Sequence, residues 1–73
     1  MEKLEREVCA IVADALEIES ISPEDDYRAY PLWGSLTAFM MKLAIARRYS
    51  REFTIKRLGE FASVRELAGA LAI

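Results

Sequence analysis

The sequence predicts one all-α domain, a small bundle of helices, on the strength of three observations. Apolar residues recur at helical spacing in two long stretches, and a Ser-x-x-Glu capping signature precedes a third, shorter one. No stretch alternates apolar and polar residues with the period of two that is typical of a half-buried strand. The chain has 73 residues with no repeat and no linker, so we expect a single domain over 1–73.

The first helix is predicted from Glu2 to Glu17. Its apolar positions recur every three or four residues, at Leu4, Val8, Ile11, Val12, Ala15 and Leu16. Acidic residues near its start suit the positive end of the helix dipole. Cys9 lies near the apolar face and, in a chain without histidine, is interpreted as a structural cysteine.

A long loop is predicted over 18–33, because helical periodicity lapses there and both prolines fall within it. Ser22 followed by Pro23 has the pattern of a cap and first residue of one short helical turn. Four large apolar residues are expected to anchor this loop to the core: Tyr27, Tyr30, Leu32 and Trp33.

The second long helix is predicted to begin at Gly34 or Ser35 and to end near Tyr49 or Ser50. Because its apolar residues cover almost the whole circumference, we expect it to lie at the centre of the bundle. One apolar stripe consists of Leu36, Phe39, Met40, Leu43 and Ala46, and it is widened by Met41, Ile45 and Tyr49.

Two shorter helices complete the predicted bundle. One or two loose turns are expected around Ile55, Leu58 and Phe61. Ser63 and Glu66 form a capping box that opens the last helix. Its apolar positions are Val64, Leu67, Ala68 and Leu71.

Composition excludes several functional classes. The chain has no histidine and one cysteine, so an intramolecular disulfide, a histidine-containing metal site and a histidine-activated nucleophile are all excluded, and we expect no enzyme. An isoelectric point near 5.1 and the lack of a reader motif argue against nucleic-acid binding. No apolar run approaches the ~20 residues of a membrane span, and the charged N-terminus has no signal-peptide core, so a cytoplasmic location is expected.

Charge is distributed unevenly along the chain, although the net charge is only -2. Residues 17–26 contain five acids and no base, which makes an acidic loop. Residues 42–57 contain six bases against Glu52, and three of these bases cluster at Arg47, Arg48 and Arg51. Such a dipolar surface can steer the association of partners.

The candidate functional residue is Ser35, in the sequence Trp33-Gly34-Ser35-Leu36. A serine at a helix start lies among unpaired backbone N–H groups, and an anionic group attached there would face the positive end of the dipole. Taken alone, Gly-Ser-Leu predicts only that Gly34 or Ser35 caps the helix.

In its context, this motif makes the chain similar to the acyl carrier proteins over nearly its whole length. Ser35-Leu36 opens an apolar second helix, Tyr49 closes it, Phe53 follows, and Phe61-Ala62-Ser63-Val64-Arg65-Glu66-Leu67 leads into the last helix. The resemblance implies a four-helix bundle with a short third helix. It also implies that Ser35 carries 4′-phosphopantetheine, derived from coenzyme A, and that acyl groups are held as thioesters on the thiol of this arm.

The resemblance implies partners and further site residues as well. The partners are a phosphopantetheinyl transferase and acyl-loading and acyl-transfer enzymes, which meet a monomeric carrier with no metal. Trp33, Gly34 and Leu36 are candidate contacts of the arm, although a tryptophan beside a helix start is more often a core or staple residue. The acyl-pocket candidates are Phe39, Leu43 and Phe61. Met40 and Met41 have the flexibility to line an adaptable cavity, but a core position is the simpler interpretation of both.

Two departures from the family pattern bear on this interpretation. Gly34 stands where the family has an aspartate that helps the transferase to dock. Arg47, Arg48 and Arg51 are basic in a region where the family presents acids, so they either select different partners or complement the negative end of their own helix. The sequence therefore leaves two functions open: a carrier in a specialised fatty-acid, envelope-lipid or secondary-metabolite pathway, and an unmodified bundle that acts as an interaction scaffold.

Overall fold

The computed structural model describes residues 2–73, and within this range the chain is all-helical, with no strand. The four α-helices are α1 (Glu2–Leu16), α2 (Ser35–Tyr49), α3 (Ile55–Leu58) and α4 (Val64–Leu71). A short 3₁₀ helix, Tyr27–Ala29, lies in the long loop. The predicted all-α bundle is confirmed, and both long helices begin and end within a residue or two of their expected bounds.

The core lies where α1 packs against both α2 and α4, while α3 packs against α2. Each helix contributes one apolar face, and the loop contributes the fully buried ring of Tyr27. The largest fully buried side chains are Tyr27, Leu16, Met41, Ile45, Leu58, Leu67, Val8, Val12 and Val64. The positions expected to be apolar in α1 and α4 are largely confirmed as core positions.

Helix α2 is buried on one face only, so the expectation that it lies at the centre of the bundle was wrong. Its buried residues are Thr37, Ala38, Met41 and Ile45. The row Leu36, Phe39, Met40 and Leu43 is exposed instead, from 44% for Phe39 to 72% for Leu36. The reason is that α2 is apolar on nearly all sides, and no other element among residues 2–73 packs over the second face.

The long loop is fixed to the bundle, although not by all the expected residues. Tyr27 is fully buried and Tyr30 and Trp33 pack against the core, whereas Leu32 is 51% exposed and was wrongly expected to be an anchor. Ser22 and Asp25 close a hydrogen-bonded turn, but it does not continue into a helix. The helical turn begins later, where the Asp26 side chain accepts a hydrogen bond from the Arg28 N–H.

The two short helices have side-chain caps, as their sequences suggest. Thr54 caps α3 by accepting from the Arg57 N–H, and Ser63 caps α4 by accepting from the Glu66 N–H. The Glu66 carboxylate accepts from the Ala62 N–H, one residue earlier than in a standard capping box. Over residues 2–73, no helix is both long enough and apolar enough to cross a membrane.

Candidate functional site

Ser35 is the first residue of α2, and it is exposed to solvent. Gly34 precedes it as N-cap in an extended conformation, with φ 174° and ψ -172°, and supplies no side-chain hydrogen bond to the helix. The first helical hydrogen bond runs from the Ala38 N–H to the Gly34 oxygen at 2.9 Å. The preceding N–H groups, those of Ser35, Leu36 and Thr37, are therefore the uncapped donors at the positive end of α2.

Hydrogen bonds on both sides of Ser35 hold this junction in place. The Thr37 hydroxyl donates to the Leu32 carbonyl, which ties the first turn of α2 to the end of the loop. The Trp33 N–H donates to the Tyr30 carbonyl at 3.0 Å and closes the turn that precedes the helix. The Ser35 side chain thus projects from a fixed backbone.

The Trp33 ring packs inward toward the long loop and α3. Its centroid lies 5.2 Å from that of Tyr27, with the two rings tilted by 59°. Its edge is also so close to Gly59 that a Cβ there would lie 3.8 Å from the indole. These contacts account for Trp33 by packing, and a role at a phosphopantetheine arm stays a prediction.

The three acyl-pocket candidates do not share one environment. Phe61 is buried in the core. Its ring packs edge-on against Phe53 with the two centroids 5.9 Å apart, and the Arg57 guanidinium carbon lies 4.5 Å from its centroid. Phe39 and Leu43 lie on the exposed side of α2. The expectation that a cleft lies beside all three stays a prediction.

The basic cluster divides into residues with different contacts. Arg48 forms an ion pair with Glu7 of α1 at 3.2 Å. Arg51, which follows α2, donates to the carbonyls of Ala70, Leu71 and Ile73, at and just beyond the end of α4 rather than at the end of α2. Arg47 is exposed and forms no ion pair within residues 2–73.

Glu7 is the acidic centre of the contact between α1 and α2. Its carboxylate accepts from the Tyr49 hydroxyl at 2.9 Å as well as from Arg48. The hydrogen bond from Arg48, followed by that from Tyr49, holds the pKa of Glu7 below its usual range. This side chain therefore stays charged to lower pH than an ordinary glutamate.

An exposed row of large apolar side chains runs along α2 from the residue next to Ser35. We call it the α2 apolar row, and it consists of Leu36, Phe39, Met40 and Leu43. Such a contiguous apolar surface is typical of an interaction site. The sequence predicted a central α2, with Phe39 and Leu43 beside an acyl cleft, and therefore did not predict that the row is exposed. The signal available in the sequence was that α2 is apolar around almost its whole circumference, more than one core-facing side requires.

An open groove of ≈ 710 Å³ lies between α1 and α2, and we call it the α1–α2 groove. Its floor is apolar and includes Ala10, Ile11, Met40 and Ala44. Charged side chains stand along its rim, with Lys3, Arg6, Glu7 and Arg48 toward one end and Asp14 at the other. Ser35 and the three acyl-pocket candidates are not among the residues that line it.

A metal site and a reactive cysteine have little support among residues 2–73. No group of three or more metal-ligating side chains is found in this part of the chain. Cys9 is half-buried, and burial, followed by the charge of Glu5, raises the pKa of its thiol. A raised pKa disfavours the thiolate, which is the reactive form of cysteine.

No protein-family model matches this chain, and no curated protein or solved structure matches it either. The features that bear on function are thus the exposed serine at the start of α2, the apolar row that follows it and the resemblance in sequence.

Proposed function

We propose that the protein is an acyl carrier that holds acyl groups as thioesters on a 4′-phosphopantetheine arm attached to Ser35. The observation that carries the proposal is the exposed Ser35 hydroxyl at the first position of α2, on a backbone fixed by hydrogen bonds. When attached, the arm supplies the thiol, and the chain supplies the anchor. No catalytic side chain is needed for that role.

The residues around Ser35 suit a phosphodiester. The uncapped N–H groups of Ser35, Leu36 and Thr37 lie at the positive end of α2, where an anionic group is stabilised. A Cβ added at Gly34 would meet nothing within 4 Å, so the residue before Ser35 has open space around it. No acidic residue occurs between Pro31 and Arg51, so no carboxylate close in the sequence repels the phosphate.

The α2 apolar row gives this carrier a surface for its enzymes. It begins at Leu36, next to the attachment site, and ends one turn before the exposed Arg47. A phosphopantetheinyl transferase and the acyl-loading and acyl-transfer enzymes are its proposed partners. The protein would act with them as a cytoplasmic monomer in a specialised fatty-acid, envelope-lipid or secondary-metabolite pathway.

The test is the intact mass of the purified chain before and after incubation with coenzyme A and a phosphopantetheinyl transferase of broad specificity. We expect wild type to gain the mass of one phosphopantetheine and Ser35→Ala to gain nothing. Ser20→Ala, which alters an exposed loop serine, is the matched control and should gain the same mass as wild type. A mass gain in Ser35→Ala would place the arm on another residue.

The second candidate function is an unmodified helical bundle that acts as an interaction scaffold. The observation that favours it is Gly34, which offers no carboxylate beside Ser35, combined with an α2 apolar row that is exposed without any arm. If wild type gains no mass with several transferases, the carrier proposal fails and the scaffold takes its place.

A further inference from the structure

The α1–α2 groove has two features of a binding surface that the carrier proposal does not use. Its floor is formed by small or apolar side chains from both helices, including Ala10 and Ala44. Its rim changes in charge along α1, from Lys3 and Arg6 at one end to Asp14 at the other. These ends are about 16 Å apart, because an α-helix rises 1.5 Å per residue.

The basic end of the groove has a net positive charge. Lys3, Arg6 and Arg48 line it there against one acid, Glu7, which already forms an ion pair with Arg48 and accepts a hydrogen bond from Tyr49. Lys3 and Arg6 are exposed and form no ion pair within residues 2–73. This end of the groove therefore favours an acidic group on whatever binds there.

The shape of the groove restricts the occupant further. The groove is open to solvent on one side, and its Ala10 and Met40 are themselves exposed. An alkyl chain lying in the groove would leave part of its own apolar surface exposed to water. An amphipathic helix would bury its apolar face in the groove and leave its polar face in water.

We propose that the α1–α2 groove binds an amphipathic helix of a partner protein, with acidic residues of that helix against Lys3 and Arg6 and its apolar face on Ala10 and Ala44. A second copy of this chain does not fit this requirement. Its exposed apolar helix is α2, which contains no acidic residue and ends in bases. The partner is thus a different protein, and its binding does not depend on modification of Ser35.

The test uses fluorescence anisotropy with two labelled 16-residue helical peptides and the Ser35→Ala chain, so that no arm is present. Both peptides have the same leucine and alanine face. One has glutamates on its first turn, and the other has lysines at the same positions. We expect the glutamate peptide to bind roughly tenfold more tightly, because each exposed charge pair contributes a modest amount. The difference should shrink as salt rises.

Three variants test whether the peptides bind in the α1–α2 groove. Arg6→Glu should weaken the binding of the glutamate peptide roughly tenfold and strengthen the binding of the lysine peptide. Lys56→Glu makes the same change in net charge on α3, outside the groove, and should leave both affinities unchanged. Ala10→Arg should abolish binding by filling the groove at an exposed position. If Ala10→Arg does not fold, Arg6→Glu still decides the question.

Several outcomes would overturn the proposal. These are no binding of either peptide, equal affinity for both, equal effects of Arg6→Glu and Lys56→Glu, or full binding to a folded Ala10→Arg. Dodecanoate serves as the lipid probe. If it binds to the wild-type groove and is lost in Ala10→Arg while the peptides do not bind, the occupant is a fatty chain instead.

Discussion

The hydroxyl of Tyr27 donates a hydrogen bond to the carbonyl oxygen of Leu58, and both residues are fully buried. Helix α3 has only four residues, so its last carbonyls have no partner within the helix. Tyr27 supplies one of these partners, and the Arg28 guanidinium supplies another by donating to the Gly59 carbonyl at 3.0 Å. The long loop before α2 and the short helix after it therefore hold each other in place.

Tyr27→Phe should destabilise the fold although it keeps the ring and its contact with Trp33. The variant leaves the buried Leu58 carbonyl without a partner, which should lower the free energy of unfolding by about 1–3 kcal/mol. Urea denaturation measures the effect. The matched control is Tyr30→Phe, which loses a half-buried hydrogen bond to Asp25 at 3.2 Å and should cost less. Equal losses in the two variants would contradict the importance of this contact.

Arg51→Gln and Arg47→Gln should differ strongly in stability, although each removes one positive charge from the same cluster. Arg51 binds three carbonyls at the end of α4, so its loss should cost about 1–3 kcal/mol. Arg47 is exposed and unpaired among residues 2–73, so its loss should change stability by no more than about 0.5 kcal/mol. Thermal unfolding of both variants gives the comparison. A similar loss in each would show that general charge, not the contacts of Arg51, matters.

Glu7→Gln should reduce the sensitivity of the fold to acid. Because Arg48 and Tyr49 lower the pKa of Glu7 in the folded protein, the unfolded chain takes up this proton first as the pH falls. The stability that Glu7 contributes is thus fully present above its ordinary pKa of about 4.3 and is lost as the pH falls through the lower folded value. The variant should be less stable than wild type at pH 7 and lose less stability between about pH 5 and pH 3.

Urea denaturation at a series of pH values tests this expectation. Glu19→Gln is the charge-matched control, since Glu19 is an exposed loop residue outside any ion pair within residues 2–73. The prediction fails if Glu7→Gln and wild type lose stability in parallel over this range.

Local signals in the sequence were sufficient for the helices and most of their ends. The apolar periodicity of α1 and the cap at Ser63 act over a few residues, so they can be recognised without knowledge of the fold. The helical turn at Tyr27 was missed because Ser22-Pro23 offered an alternative start nearby. Its own signal was the Asp26 side chain, which caps the Arg28 N–H.

Long-range contacts account for what the sequence did not predict. Met40 and Met41 are adjacent and equally apolar, yet one is 46% exposed and the other is fully buried. The packing of α2 against α1 and α3 decides which of them faces the core. The attachment of Arg51 to α4 likewise depends on a helix almost twenty residues further along the chain. At the candidate site, the helix start at Ser35 was predictable, whereas the exposure of the row behind it was not.

Ile45→Ala and Leu43→Ala test which face of α2 is the core face. Ile45 is fully buried, so its truncation leaves a cavity and should cost about 2–5 kcal/mol. Leu43 is half-exposed on the α2 apolar row, so the same truncation should cost no more than about 1 kcal/mol. Both variants introduce alanine into the interior of the same helix, so the helix propensity of the introduced residue is the same in each. Denaturation curves with equal midpoints would contradict the assignment of faces.

Gly34→Asp should stabilise the fold and, if the carrier proposal is right, speed the attachment of the arm to Ser35. The extended backbone at Gly34 accepts any residue, and a Cβ there meets nothing within 4 Å. An aspartate would accept hydrogen bonds from the uncapped N–H groups of α2 and face its positive end, a gain of about 0.3–1 kcal/mol. Gly34→Ala is the control, because it adds the Cβ without the carboxylate and should stabilise nothing. Thermal unfolding measures the first effect, and the rate of mass gain with a phosphopantetheinyl transferase measures the second. A more stable Gly34→Asp with an unchanged rate would show that the transferase does not use a carboxylate here, while leaving the attachment at Ser35 to be decided by Ser35→Ala.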